Sequence, residues 1–287
     1  QREGPTAEVP ADRFCGENLR SRHVLMTVIA QISDIHFGAE DESAIEAAEA
    51  CIKSTKPDML VVCGDLTQRG RTREFDAAAE WLDRFDMPKL VVPGNHDTPM
   101  FNVAARAAEP FKRFKRRFNQ QFEVVEAGGA IAVGLNTARG WQARRNWAEG
   151  SVNLDDLDEA IVRAGKSRAE VKLIACHHPF HSLPGAPLRT RTRRGRRASD
   201  MVAASHVQMV LTGHVHTPSV VVRQRANGCY LAVSSGTLSV RLRAEPPSFN
   251  LIRLEEGELR IDRCDIHEDG PKISRMGAFD ANLEACA

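Results

Sequence analysis

"TVIAQISDIHFGAEDESAIEAAEACIKSTKPDMLVVCGD", residues 27–65, decides the fold. It holds an apolar run, "TVIAQIS", a helical stretch, "ESAIEAAEACIKS", and a second apolar run, "MLVVCG". Strand, helix and strand in that order imply parallel strands joined by a crossover helix. The alternation continues through the helical "TREFDAAAEWLDRF" to the run "KLVVPG", so the chain reads as α/β. A helical segment at 109–118 and two shorter strand-like runs, "FEVVEA" and "AIAVGLN", come next. "NLDDLDEAIVRAG" then predicts a helix capped by Asn153, with acidic residues in its first turn. "VKLIACHHP" and "VQMVLTGHVH" return to apolar runs.

The last third changes character. "SVVVRQRANGCYLAVSSG" carries Asn-Gly between apolar runs, and "SFNLIRLEEGELRIDRC" turns through Glu-Glu-Gly. Both are hairpin signals, and they predict a second, antiparallel sheet packed on the first. Residues 1–26 mix Pro, Gly and charge without periodicity and read as a poorly ordered leader. Residues 27–264 read as one domain and the weakly patterned 265–287 as a peripheral tail. No internal repeat is visible.

Composition narrows the function classes. The 287 residues are 42% hydrophobic, enough for a substantial core, and the net charge is only +1. No global field draws nucleic acid or an anionic membrane, so any basic patch is local. No apolar run reaches the roughly 18 residues of a membrane span, and the N-terminus lacks a secretory core, so a cytoplasmic protein is expected. Seven scattered cysteines, with no C-x-x-C pair, read as structural thiols of a reducing compartment.

The chemistry lies where the apolar runs end: "IAQISDIH", "LVVCGD", "LVVPGNHD", "LIACHHP" and "MVLTGHVH". Each breaks off into Asp, Asn or His, and in an open α/β sheet the carboxyl ends of parallel strands share one ligand-binding edge. Asp34, His36, Asp65, Asn95, His96, His177, His214 and His216 are thereby expected to converge. Seven of the ten histidines fall at or, like His181 just past "LIACHHP", directly after these endings. One His beside a strand is usually structural, whereas five endings of one kind argue for a site. Imidazole and carboxylate without thiolate suit a divalent Zn, Mn or Fe ion. The i, i+2 pairs Asp34/His36 and His214/His216 share a side if the backbone is extended. Seven ligands exceed one tetrahedral ion and suffice for two, and paired ions recur in displacement at phosphorus.

These residues resemble the calcineurin-like metallophosphoesterase superfamily: "DIH" at 34–36, "GD" at 64–65, "GNHD" at 94–97, "HHP" at 177–179 and "GHVH" at 213–216. The match runs from about residue 28 to 216. The resemblance implies a four-layer α/β/β/α sandwich of two mixed sheets. It also implies that Asp34, His36, Asp65 and His216 hold one metal, and that Asp65 bridges to a second held by Asn95, His177 and His214. His177 rather than His178 is implied because the family ligand sits two residues before the proline, here Pro179. His96 is implied to act on the substrate, stabilising phosphoryl charge or protonating the leaving oxygen, with Asp97 orienting it.

Subfamily cues, among them "GDLTQRG" and "HHP", are similar to the class III cyclic-nucleotide phosphodiesterase and glycerophosphodiesterase group. Phe180 stands where that group usually has a second proline. The activity implied is hydrolysis of small phosphodiesters by a metal-bridging hydroxide. A nuclease or phosphomonoesterase, or a non-catalytic scaffold, is the alternative. "RTRTRRGRR", residues 189–197, is a solvated loop or an anion-recruiting rim, with Arg189, Arg191 and Arg193 as candidate substrate contacts and a route to nucleic acid. A homodimer is left open. "FKRFKRRF", residues 111–118, reads as a core-facing Phe stripe with a basic back.

Overall fold

The computed structural model describes residues 26–118, 123–142, 146–182 and 192–283. Two six-stranded mixed sheets lie face to face. The first has the order β12-β11-β10-β1-β2-β3, comprising β1 (Thr27–Ile32), β2 (Met59–Cys63), β3 (Lys89–Val92), β10 (Ser248–Glu255), β11 (Glu258–His267) and β12 (Gly270–Asp280). The second runs β4-β5-β6-β7-β9-β8, comprising β4 (Val124–Ala127), β5 (Ala130–Gly134), β6 (Val171–Ala175), β7 (Met209–Thr212), β8 (Ser219–Arg225) and β9 (Gly228–Ser234).

Three cores make the four layers. Successive side chains of a strand face opposite ways. In β1 and β2, Ala30, Ile32, Leu60 and Val62 therefore pack outward against α1 (Glu42–Thr55), α2 (Thr72–Leu82) and α4 (Lys112–Phe118), which follows the short α3 (Val103–Ala108). Their neighbours Ile29, Met59, Val61 and Cys63 point inward, where they meet Ala132, Leu173, Leu211 and Val233 of the second sheet. The outer face of the second sheet packs on α5 (Leu154–Lys166) and α6 (Gly195–Ala203). Burial on both faces explains why these strands read as unbroken apolar runs.

Local signals were mostly kept. Asn153 caps α5 by accepting from the Asp155 amide, and Asp41 caps α1 through the Ala44 amide. Phe114 and Phe118 of α4 are buried, as the stripe predicts. The two hairpins form at the expected turns, but not in one separate sheet. β8–β9 extends the second sheet by a parallel β7–β9 pairing, while β10–β11 joins the first through antiparallel β1–β10. The physical reason is burial: the first five residues of β10 are all buried, which requires a neighbour on each side and a cover on each face. Asn250 of β10 also donates to Gln31 Oε1 of β1 at 3.0 Å and to the Ser234 carbonyl of β9 at 3.0 Å. That buried amide pair ties the two sheets together.

The boundary drawn at 264 falls inside β11, and residues 270–280 form the edge strand β12. Cys51, Cys63, Cys176 and Cys264 are free and buried, whereas Cys229 is disulfide-bonded, a correction to the all-thiol expectation. Linear spacing of the cysteines carries no sign of that pairing. Among the described residues no helix is long and apolar enough to cross a membrane.

Candidate metal centre

The carboxyl ends of β1, β2, β3, β6 and β7 meet at one edge, where backbone bonds knit the loops together. The Asp34 amide donates to the Gly64 carbonyl at 3.0 Å, His36 to Asp65 at 3.0 Å, and Gly213 to His177 at 3.0 Å. The last of these crosses between the loops after β6 and β7. Asp34, His36, Asp65, His214 and His216 all have positive φ, between 52° and 72°. Left-handed backbone costs a non-glycine residue about 1–3 kcal/mol, and it persists where surrounding bonds over-determine it. So the i, i+2 pairs reach a common centre through left-handed turns, not the extended backbone expected of them. Two glycines make the approach possible. A Cβ on Gly94 would lie 2.1 Å from Asp65 Oδ1, and one on Gly213 would lie 1.7 Å from Ser33 Oγ.

The side chains converge as acceptors. Asp34 Oδ1 is 3.2 Å from His216 Nε2 and 3.8 Å from His36 Nε2, and those two nitrogens are 3.3 Å apart. Asp65 Oδ2 lies 3.8 Å from His36 Nε2 and 3.3 Å from His177 Nε2, which in turn is 3.2 Å from Asn95 Oδ1. His177 and His214 sit edge to face with centroids 5.1 Å apart. Asp65 Oδ2 is thus common to two neighbouring groups of ligand atoms.

Proton placement tests whether a cation fits. His177 Nδ1 donates to the Cys63 carbonyl at 2.8 Å and His216 Nδ1 to the Arg241 carbonyl at 2.7 Å. Both Nε2 lone pairs therefore point at the centre, opposite carboxylate and amide oxygens that cannot donate. Asp34 Oδ1 and His36 Nδ1 are buried with no hydrogen-bond partner among the described residues. Converging lone pairs in a buried site call for positive charge, and a divalent cation suits this donor set. The protein alone can supply only protons. Burial pulls His177 down, but the Asp65 carboxylate outweighs it and raises the imidazole to about 9. His216 is likewise raised, with Asp34 overcoming burial. Burial opposes ionisation of Asp65, yet His177 and its neighbours hold it well below the usual carboxylate range. Burial brings His36 and His214 down to about 3, so both imidazoles are neutral and available as donors of lone pairs.

His178 and His96 also lie close enough to join the candidate ligand groups, but their ring nitrogens already have protein partners. His178 donates from Nε2 to the Ala148 carbonyl at 3.0 Å, and its Nδ1 meets the Thr137 hydroxyl at 2.9 Å. His96 Nδ1 donates to the Gln68 carbonyl at 2.8 Å, and its Nε2 accepts from Arg241 Nη1 at 3.0 Å. Both rings are engaged at both nitrogens.

Asp97 does not orient His96; that position belongs to the Gln68 carbonyl. The Asp97 carboxylate instead accepts from the Gly94 amide at 2.8 Å, the Leu66 amide at 3.3 Å, and the Thr67 amide and hydroxyl, each at 2.9 Å. It fastens the loops after β2 and β3 to each other. Burial and the nearby Asp65 raise it to about 6. Arg189 and Arg191 lie outside the described residues, while Arg193 is exposed and pairs by its backbone with Gly150 and Val152. Phe180 is buried in the outer core of the second sheet, not at the site. Sequence reading missed Gln68, Thr67 and Arg241. Only Thr67 and Gln68 lay inside a motif already singled out.

Residues 27–218, more than half the chain, match the family described as calcineurin-like phosphoesterase. A probable cyclic nucleotide phosphodiesterase of Synechococcus is 25% identical over 66% of this chain and 72% of its own. The 3',5'-cyclic adenosine monophosphate phosphodiesterase of Escherichia coli K12 is 26% identical over 66% and 69%. A probable glycerophosphodiester phosphodiesterase of Arcobacter nitrofigilis is 24% identical over 78% and 87%. Among solved structures, a purple acid phosphatase from yellow lupin superposes with a TM-score of 0.60 at 11% identity, covering 91% of this chain and 55% of that one. The Plasmodium protein GAP50 gives 0.54 at 11%, covering 88% and 89%. Those two likenesses concern the fold alone.

Proposed function

The chain belongs to the calcineurin-like phosphoesterase family, and on that premise we propose that it is a metal-dependent hydrolase of small phosphodiesters. Asp34, His36, Asp65 and His216 would hold one divalent cation, and Asp65, Asn95, His177 and His214 another. What supports this most is the position of Asp65 Oδ2, within 3.8 Å of His36 and 3.3 Å of His177. Two cations held there would supply positive charge for the phosphoryl oxygens and a water acidic enough to ionise near neutral pH. The chain's own residues do the rest. Asp34 and Asp65 neutralise only part of that charge, which leaves the site attractive to a phosphodiester anion. His177 and His216 are held in one tautomer by carbonyls, so their lone pairs need no reorganisation. His96, bonded at both nitrogens, is kept beside the centre on the substrate's side.

Small diesters are favoured because the relatives named above act on cyclic nucleotides or glycerophosphodiesters. Bis-p-nitrophenyl phosphate, p-nitrophenyl phosphate, single-stranded DNA, cyclic AMP and glycerophosphocholine, each with Mn and with EDTA, separate the alternatives. Mn-dependent turnover of the small diesters above the monoester and DNA is expected. Preference for DNA or the monoester would replace this reading with a nuclease or a phosphomonoesterase, and metal binding without any turnover would leave a scaffold.

The ligand assignment has its own check. His177→Ala is expected to weaken Mn binding at least about 10-fold, whereas His178→Ala retains the metals and loses about 1–3 kcal/mol of stability through its unpaired neighbours. Calorimetric Mn titration with urea unfolding distinguishes them, and the reverse pattern would exchange the two roles.

A further inference from the structure

Arg241 lies in the segment 235–247 between β9 and β10, which has no helix or strand of its own. That segment is nonetheless fixed. Thr237, Leu238 and Ser239 are at most 1% exposed. The Thr237 hydroxyl donates to the Asp34 carbonyl at 2.5 Å, the Asp41 amide to Leu238 at 3.2 Å, and the Val240 amide to Ala39 at 3.2 Å. The Arg241 amide donates to Ser239 Oγ at 3.3 Å, and the Arg241 carbonyl holds His216 Nδ1. The backbone of Arg241 is thus pinned from both sides against the centre.

Its side chain crosses to the other side of the site. Nη1 donates to His96 Nε2 at 3.0 Å and approaches Gln68 Oε1 at 3.3 Å. Neither partner is a carboxylate. Among the described residues no carboxylate pairs with this half-buried guanidinium, and its Nε and Nη2 have no hydrogen-bond partner. A planar cation with spare donors, held beside the acceptor centre without a counter-charge, matches the recognition of phosphate oxygens.

We propose that Arg241 binds a non-bridging oxygen of the substrate phosphodiester, next to His96, and so sets how the phosphorus is presented to the centre. This rests on the phosphodiesterase reading above. It also moves the phosphate contact from the 189–197 run to a residue in the β9–β10 segment. Because His216 is held by the backbone of Arg241, side-chain replacement should leave metal loading intact.

Arg241→Ala is expected to raise the inhibition constant of inorganic phosphate, and to lower kcat/KM for bis-p-nitrophenyl phosphate, each roughly 10- to 100-fold. Mn stoichiometry should stay unchanged. Arg241→Lys should recover part of the loss, and millimolar guanidinium chloride should restore activity to the alanine variant but not affect wild type. Values within twofold of wild type for phosphate inhibition and kcat/KM would overturn the proposal. If the alanine variant melts lower, rescue by guanidinium still supports direct contact, and absence of rescue overturns it. Wild-type protein that hydrolyses the diester while Arg241 proves indifferent rejects this proposal alone. Wild type that binds no metal and hydrolyses nothing rejects the phosphodiesterase reading, and this proposal with it.

Discussion

Asp65→Asn is expected to reduce hydrolysis of bis-p-nitrophenyl phosphate on the order of 1000-fold, the cost of breaking a buried charge arrangement. The substitution is nearly isosteric, and asparagine tolerates the left-handed backbone that Asp65 adopts at φ 52°. The Asn side-chain oxygen can still accept the His96 amide, now bonded to Asp65 Oδ1 at 2.8 Å. What disappears is one negative charge at the oxygen shared by both ligand groups. Mn titration should therefore show weaker binding at two sites together, with the fold preserved by circular dichroism. A variant that keeps two-site loading and activity within tenfold of wild type would remove Asp65 from the bridge.

The second large effect is on stability. Asp97→Ala deletes the acceptor for three buried amides and the Thr67 hydroxyl. Each unsatisfied buried group costs about 1–3 kcal/mol, so a total near 3–5 kcal/mol is expected once water entry and relief of repulsion with Asp65 are allowed for. Asp97→Asn should fall between, because its amide group keeps one acceptor but faces amide donors with the other end. Urea unfolding measures this directly. A catalytic orienting role predicts the opposite: alanine with near-native stability and a selective loss in kcat. That outcome would restore the partner first expected for His96.

The difference between those two aspartates shows what a linear sequence carries. Asp65 was readable because parallel strands end at one sheet edge, so the polar residues after "LVVCG" must face those after "VVPG" and "VLTG". Asp97 was misplaced because it neighbours His96 in the chain, while its carboxylate turns away to the loop after β2. His177 against His178 was assigned through the family's proline spacing, and the hydrogen bonds of His178 give an independent physical reason. The hairpins were legible as hairpins, since Asn-Gly and Glu-Glu-Gly specify turns. Their destinations were not, because period-2 alternation does not say which sheet a strand joins. Gln31 and Asn250, two amides inside apolar strands, were the available hint that β1 and β10 are neighbours. Arg241 had no such hint, for its segment follows neither periodicity and its position depends on bonds to Asp34, Asp41 and Ala39 that only the folded chain brings together.

The proposed two-cation centre is tested most directly by crystals grown with Mn and measured at the Mn absorption edge. Two anomalous peaks are expected: one among Asp34, His36 and His216, the other among Asn95, His177 and His214, with the Asp65 carboxylate between them. A single peak, or none near Asp65, would contradict a two-cation site.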